Sequence, residues 1–197
     1  TQLNSNVNGK IEVESMETTL LKGFPGVAVS LKKIQLRDSL WAQHKHDLLN
    51  AADIDVSLNI FSLIGGNIKI NKIGINNASI YVYTDTTGYT NTSMFKSKPK
   101  QDTAGKKESK DFEINRVDLN NVNLVVDNQR RFKNFHFLID ELKGKIEYPD
   151  SGWNGNIQLK TMVKSFAFNT KMGSFLKDKS LNGTLVAHYN NETKAVT

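Results

Sequence analysis

The chain has 197 residues, of which 38% are hydrophobic and 23% charged, and its formal net charge is +6. It contains no cysteine, which excludes disulfides, thiolate metal sites and cysteine nucleophiles. No apolar run approaches the ~18 residues that a membrane-spanning helix requires. A chain of this length suffices for one all-β unit, so we expect a single domain over residues 1–197.

The first strands are marked by alternation of apolar and charged residues. Ile11 and Val13 alternate with charged neighbours, which is typical of a strand with one face in water. Pro25 and Gly26 break the chain, because proline cannot donate to a strand ladder and glycine permits a turn. A second strand is predicted to begin at Val27.

A possible metal site follows this second strand. His44 and His46 are two residues apart, with Asp47 beside them, and could bind one ion from the same side of a strand. No carboxylate or third histidine recurs at ligand spacing, so the pattern favours a surface loop without a metal.

The cleanest alternation in the sequence runs from Asp53 to Ile60, with every second residue apolar. Asp53 and Asp55 are a conceivable acid/base pair of the glycosidase kind. They fall on the polar side of the predicted strand, and no aromatic or apolar pocket residue lies between them on that side to raise a pKa. We therefore expect them to be solvated.

A repeat occupies the centre of the chain. The segment Ile70–Val82 occurs again 44 positions later as Ile114–Val126, and every apolar position falls on an apolar position. A weaker third copy is indicated 39 positions before the first, over Leu31–Trp41. A repeat of about 40 residues is typical of a stacked array in which no unit buries its apolar face alone. The sequence is therefore expected to be part of a longer protein.

The spacing within the repeat predicts its local structure. Steps of two residues have the period of a half-buried strand, and each step of three requires a bulge or corner. The second such step falls on Asn76-Asn77 and on Asn120-Asn121, and asparagine tolerates left-handed backbone. Each copy is therefore predicted to be a strand, a corner and a second strand, as in a β-hairpin.

The basic excess is concentrated between the two strong copies. Residues 96–110 carry six lysines against Asp102 and Glu108, a net charge of +4, which leaves only +2 for the rest. The segment is rich in Lys, Ser, Gly and Pro and has no periodicity, so we expect a mobile, solvated loop and no nucleic-acid partner. Contact with anionic lipid head groups is the functional alternative.

The remaining residues continue the pattern of strands. Alternation extends from Phe135 to Ile146, from Trp153 to Val163 and from Leu181 to Tyr189, with at most one helical turn, at Met172–Asp178. No apolar stripe of helical period is longer than about two turns. A sheet with one apolar face and no helices must close as a sandwich or curl until that face lines a groove.

Four patterns follow one another between Phe24 and Asn91. They are a basic-Ile-x-Leu-x-Asp pattern, a Leu/Ile-Gly-Gly turn, the first strong repeat copy with its Asn-Asn step, and an Asp-x-x-Gly-x-x-Asn ending, at Lys33–Asp38, Leu58–Gly66, Ile68–Ile80 and Asp85–Asn91. In this order they resemble the N-terminal region of AsmA-like proteins of the bacterial envelope. The segment Phe112–Leu142 is similar to the next repeat of that family.

The resemblance implies a fold, a location and a partner. It implies an antiparallel, strongly curled sheet forming an elongated open groove, related to TamB-like and chorein-type bridge proteins. It also implies a periplasmic module, anchored to the bacterial inner membrane by an N-terminal helix that this sequence lacks, and supporting outer-membrane biogenesis. Its expected partners are phospholipid acyl chains and further repeats of the same chain, with no cofactor and no metal.

The groove lining is predicted from the apolar positions of the alternating strand and the repeats: Ile54, Val56, Leu58, Ile60, Ile80, Val82, Leu124 and Val126. Periodicity alone favours a closed core between two sheets for these residues, and it is the resemblance that favours a groove. Two other functions stay open, namely a non-conducting scaffold for outer-membrane assembly and a surface β-solenoid adhesin that binds through Tyr81, Tyr83 and Tyr89. An enzyme is the least supported class, since no nucleophile triad, phosphate loop or metal-ligand cluster is present.

Overall fold

The computed structural model describes residues 7–20, 26–59, 68–95 and 112–197. The Lys-rich loop at 96–110 and the Gly-Gly turn at 65–66 lie outside these ranges. Nine strands of one sheet, one α-helical turn and one 3-10 helix are described. They are β1 (Gly9–Leu20), β2 (Gly26–Asp38), α1 (Trp41–His44), β3 (Leu49–Asn59), β4 (Ile68–Thr84), the 3-10 helix (Asn91–Phe95), β5 (Phe112–Ile114), β6 (Arg116–Asn128), β7 (Lys133–Glu147), β8 (Gly152–Ala167) and β9 (Lys179–Asn190).

The predicted all-β class is confirmed, but two details of the predicted sheet are wrong. The strand order is β1-β2-β3-β4-β6-β7-β8-β9, and β4 pairs with both β5 and β6 in parallel. The two strong repeat copies therefore lie side by side and run in the same direction, which a hairpin cannot achieve. The sheet is also mostly not strongly curled.

Each strong repeat copy forms one long strand with a bend. Asn77 and Asn121 adopt left-handed backbone, with φ of 50° and 51°, in the middle of β4 and β6. Each interrupts the side-chain alternation by one residue, while the strand stays continuous and keeps its register with the neighbouring strands. We call such an interruption a bulge, and the predicted break into two strands is wrong.

The bulges also correct the position of the third copy. Lys33 in β2 has a φ of 48° and precedes Asn77 by the same 44 residues that separate Asn77 from Asn121. Ile34 is paired through β3 with Ala78, which is again 44 positions later. The sequence match at 39 positions is therefore out of register by five residues.

The bulges form a line across the sheet. The register skips one residue at the same level in successive strands, around Lys33 in β2, Ala52 in β3, Asn77 in β4, Asn121 in β6 and Asp140 in β7. Bulges bend a strand and increase its twist. The sheet therefore has a local bend along one line and flatter regions on both sides of it.

The buried core lies along that bend. The residues that immediately precede or follow the bulges are the most buried cluster in the described chain: Ile34, Ala51, Ala78, Val122 and Ile139. They come from five adjacent strands, so the core is a single row of side chains rather than a layer between two sheets.

Candidate functional site

One face of the sheet is apolar over several adjacent rows. Because side chains alternate along a strand, the residues paired across the strands at one level share a face. Two rows of six apolar residues each flank the buried row, one on each side of the bend. We call the surface formed by these two rows and the buried row the apolar face. The two rows are Leu36, Leu49, Ile80, Leu124, Phe137 and Val163, and Leu31, Ile54, Ile75, Leu119, Leu142 and Leu159.

Most residues of the apolar face are only half-buried. The row members Ile54, Ile80 and Leu124 pack against the buried cluster but stay partly accessible. Each strand makes its extensive contacts with the strands next to it in the sheet. The 3-10 helix also contacts the sheet, at β2 and β4. Within residues 7–20, 26–59, 68–95 and 112–197, no second layer covers the face.

The structure places the predicted lining residues on this face, except for one that it does not describe. Ile54, Val56 and Leu58 follow one another along β3 on the apolar side. Ile80 pairs with Leu124, and Val82 pairs with Val126, across the parallel strands β4 and β6. Ile60 lies outside the described residues.

Sequence reasoning missed part of the lining. Leu31 of β2, Leu142 of β7 and Leu159 of β8 complete the rows that begin with the predicted residues. The alternation within each strand was visible in the sequence. The register that aligns the strands was not, because bulges shift it at Ile139–Glu141 and at His136–Phe137.

Aromatic side chains enlarge the apolar face at one corner. Phe135 and Phe137 of β7 pack against Phe166 of β8 with ring centroids 5.0 and 6.0 Å apart, and Phe168 lies 5.0 Å from Phe166. The rings are tilted or edge-on, as aromatic pairs prefer. Phe168 is 57% exposed, so this corner is also open to solvent.

The opposite face is polar and held by ion pairs between strands. Lys72 of β4 and Arg116 of β6 contact Asp118 at 2.8 and 2.9 Å. Burial raises the pKa of Asp118, but the two cations outweigh it and hold that pKa below its ordinary value. The sheet is therefore amphipathic, with ordered charges on one face and apolar side chains on the other.

The two aspartates of β3 belong to this polar face. Asp53 pairs with Lys32, and Asp55 accepts a hydrogen bond from the Ser30 hydroxyl at 2.7 Å. Asp55 is exposed, as expected for a solvated carboxylate, whereas Asp53 is half-buried beside Lys32. Their partners lie on the neighbouring strand, which the sequence alone did not identify.

The histidine segment is more buried than predicted. The His44 side chain is 7% exposed and its Nε2 atom lies 2.9 Å from Asp38, while His46 stacks on Tyr81 at 4.1 Å between ring centroids. Burial, followed by the neighbouring His44, lowers the pKa of His46. In the described part of the chain, no group of three or more His, Cys, Asp or Glu residues could hold a metal ion.

The three tyrosines do not form an exposed platform. Tyr83 is buried and its ring packs against His44 and His46. Tyr89 is bound through its hydroxyl to Asp38, and burial followed by that carboxylate raises the pKa of Tyr89. The three tyrosines therefore contact His44, His46 and Asp38 rather than forming a free surface.

Comparisons with known proteins add no identification. No family model matches the chain, and no curated protein matches it either. Among the residues that the structure describes, no helix has the length and apolar character needed to cross a membrane.

Proposed function

We propose that the chain is a lipid-binding or lipid-transfer module of an AsmA-like envelope protein, in which acyl chains lie along the apolar face. The observation that supports this most strongly is a broad apolar surface on a single sheet with no covering layer among the described residues. A soluble monomer rarely exposes so large a continuous apolar patch without a partner.

The size of the apolar face suits acyl chains. Six neighbouring strands span about 24 Å at the usual strand spacing, and the ten residues from Val117 to Val126 span about 30 Å along a strand. One acyl chain extends about 15 Å, half of the bilayer's hydrocarbon core. Each buried CH2 group contributes about 0.8 kcal/mol, so the surface lowers the cost of moving a lipid tail through water.

The sheet geometry supports an open groove rather than a closed core. The line of bulges coincides with the most buried row of the apolar face, and a groove would follow that row with the half-buried rows as its walls. Specificity in such a groove would be low, since its lining makes only apolar contacts. Lipid head groups would remain in water beside it.

The direction of the strands suggests how the module would be oriented in the periplasm. β1 begins at Gly9, which pairs with Asp38 at the end of β2, so the chain enters the sheet at the end that carries α1 and the 3-10 helix. An N-terminal inner-membrane helix of the AsmA type would therefore place this end towards the inner membrane. The opposite end would point towards further repeats and the outer membrane.

Lipid extraction from the purified chain tests the proposal. We expect organic extracts to contain phospholipid, and we expect Val56→Asp combined with Leu124→Asp to remove it, because two charges would then stand in the acyl path. The matched control, Ser57→Asp with Asn123→Asp, places the same charges one residue away on the polar face and should retain lipid. Lipid-free protein, or equal loss in both variants with folding intact, would exclude the groove.

A non-conducting scaffold for outer-membrane assembly is the remaining alternative. The position of β9 at the end of the strand order favours extension of the sheet there, although residues 188–190 of this strand already bond to residues 195–197. A scaffold uses its edges and needs no lipid on the apolar face, so the same extraction separates the two functions. The adhesin alternative is weakened, since its proposed tyrosine platform is buried or bound.

A further inference from the structure

A second apolar surface lies at one end of the sheet, in the loop of residues 168–178 between β8 and β9. Met172 is 86% exposed and Phe175 is 81% exposed, the two highest values among the large hydrophobic residues described. The predicted helical turn is absent here, since the loop is a bridged return in which Asn169 pairs with Gly173 and Phe166 pairs with Leu176. These side chains are therefore presented by a defined loop outside the apolar face.

Hydrogen bonds hold the loop against its neighbours. The Phe175 amide donates to the Phe166 carbonyl at 2.9 Å, and the Phe166 amide donates to the Ser174 hydroxyl at 2.7 Å. The Thr170 amide donates to the Phe132 carbonyl at 2.6 Å, which fixes the loop beside the turn of residues 129–132. Exposure of Met172 and Phe175 is thus part of the folded structure.

The surroundings of the loop are basic. The Lys171 ammonium lies 4.1 Å from the centre of the Phe132 ring, and Phe132 is itself 44% exposed. Asp178, the acidic residue of the loop, pairs with Lys164. Six cationic side chains lie in or next to the loop and the turn: Arg130, Arg131, Lys133, Lys171, Lys177 and Lys179.

Exposed apolar side chains framed by cations are suited to an anionic lipid surface. Aromatic and aliphatic groups gain free energy by entering the region between head groups and acyl chains, while lysine and arginine remain at the phosphates. Each basic residue near an anionic membrane adds attraction that salt screens. A protein partner would instead need carboxylates around an apolar pocket.

We propose that the 168–178 loop and the 129–132 turn dock this end of the sheet on a membrane containing anionic phospholipid, with Met172 and Phe175 inserted between head groups. The same end receives the N-terminal start of β1. Docking would bring the corner formed by Phe166 and Phe168 close to the lipid surface, and so bring the apolar face next to its source of lipid.

Vesicle sedimentation tests the docking. The full chain is mixed with vesicles of phosphatidylcholine and phosphatidylglycerol, or of phosphatidylcholine alone, and the bound fraction is measured. We expect binding to the mixed vesicles that weakens in high salt, and we expect Met172→Ser with Phe175→Ser to lower the partition about tenfold. Lys171→Gln with Lys177→Gln should lower it by a similar factor, and only on the anionic vesicles.

The control is another exposed apolar pair elsewhere on the protein. Leu185→Ser with Val186→Ser on β9 should leave vesicle binding unchanged, and circular dichroism should show all variants folded. Unchanged partition of the Met172/Phe175 variant, or an equal loss in the β9 variant, would overturn the proposal. So would loss of a dimer in sedimentation velocity caused by the loop changes, which would assign the surface to a second copy of the chain.

The vesicle experiment and the lipid extraction fail independently. A chain that binds vesicles but yields no phospholipid would retain the docking surface and lose the groove. A chain that carries phospholipid but does not bind vesicles would retain the groove and lose the docking surface.

Discussion

Asparagine side chains at the bend connect the two repeat copies. The side-chain Nδ2 of Asn121 donates to the side-chain oxygen of Asn77 at 2.7 Å, and that of Asn120 donates to the side-chain oxygen of Asn76 at 2.9 Å. Both Asn77 and Asn121 also hold a left-handed backbone that few residues other than glycine adopt readily. One residue type therefore serves the bend and the parallel pairing at once.

Substitution of Asn121 tests the role of this backbone conformation. Asn121→Val should lower the free energy of unfolding by about 1–3 kcal/mol, because a β-branched residue is strained at positive φ. Asn121→Gly loses only the side-chain hydrogen bond and should cost about 1 kcal/mol or less. Urea unfolding of both variants measures the difference, and equal stability of the two would contradict a strained bend.

Two histidines make stability depend on pH. Burial, then the neighbouring His44, lowers the pKa of His46, and burial, then Lys164, lowers the pKa of His136, both from an ordinary value of 6.5. Between the lowered pKa values and 6.5 the unfolded chain binds more protons than the folded one. The free energy that the two neutral histidines contribute to folding is therefore fully present above pH 6.5. It decreases as the pH falls from 6.5 through the lowered pKa values.

The melting temperature as a function of pH measures this dependence. We expect it to fall on acidification from neutral pH towards about pH 5, and we expect His46→Gln with His136→Gln to flatten the slope, whatever the variant does to absolute stability. Asp118 and the other carboxylates with lowered pKa values act only at more acidic pH. A wild-type profile that is flat in this window, or a variant with the same slope, would contradict the assignment.

At the scale of elements, the 3-10 helix binds the first part of the connection between β4 and β6 to the end of β4. Asn91 is fully buried, and its side chain accepts a hydrogen bond from the Tyr83 amide at 3.0 Å and donates to the Tyr81 carbonyl at 2.7 Å. The Asn91 side chain thereby satisfies backbone groups of β4 at Tyr81 and Tyr83, beyond the last residue of β4 that pairs with β3. Met94, also fully buried, packs the same helix against the sheet.

Truncation of this helix has a matched control within it. Met94→Ala should lower the free energy of unfolding by about 2–5 kcal/mol, the usual cost of such a core truncation. Phe95→Ala, at a position that is 55% exposed, should change it by less than about 0.5 kcal/mol. Hydrogen exchange should also show a faster Tyr83 amide in Met94→Ala alone, and equal effects of both changes would show that the helix is not anchored by Met94.

The elements also show what the sequence could and could not provide. Alternation from Asp53 onwards predicted the strand, and the Asn-Asn steps located the interruptions of the alternation, because side-chain period and backbone preference are local. The corner and the second strand predicted at each Asn-Asn step were wrong. The parallel pairing of β4 and β6 depends on where a 30-residue crossover returns, which no local pattern encodes. For the same reason, Leu142 and Leu159 could not be assigned to the apolar face before the register was known.

At the scale of the whole molecule, the described residues form an amphipathic sheet, and none of them forms a second layer over its apolar side. Ion pairs such as Lys72–Asp118 order one face, and the other consists of half-buried rows around a single line of buried residues. Of the predicted lining residues, Ile80 and Val82 lie beside Leu124 and Val126, because residues 44 positions apart pair across β4 and β6. The predicted strong curl was not found, because bulges at one level produce one bend.

Photo-crosslinking in lipid membranes tests the central claim most directly. A photoreactive residue is placed at Leu124 or Leu159 on the apolar face, or at Asn123 on the polar face next to Leu124. The account predicts phospholipid adducts from both apolar positions and none from Asn123. Absence of adducts from Leu124 and Leu159, or equal labelling from Asn123, would contradict a lipid-binding face.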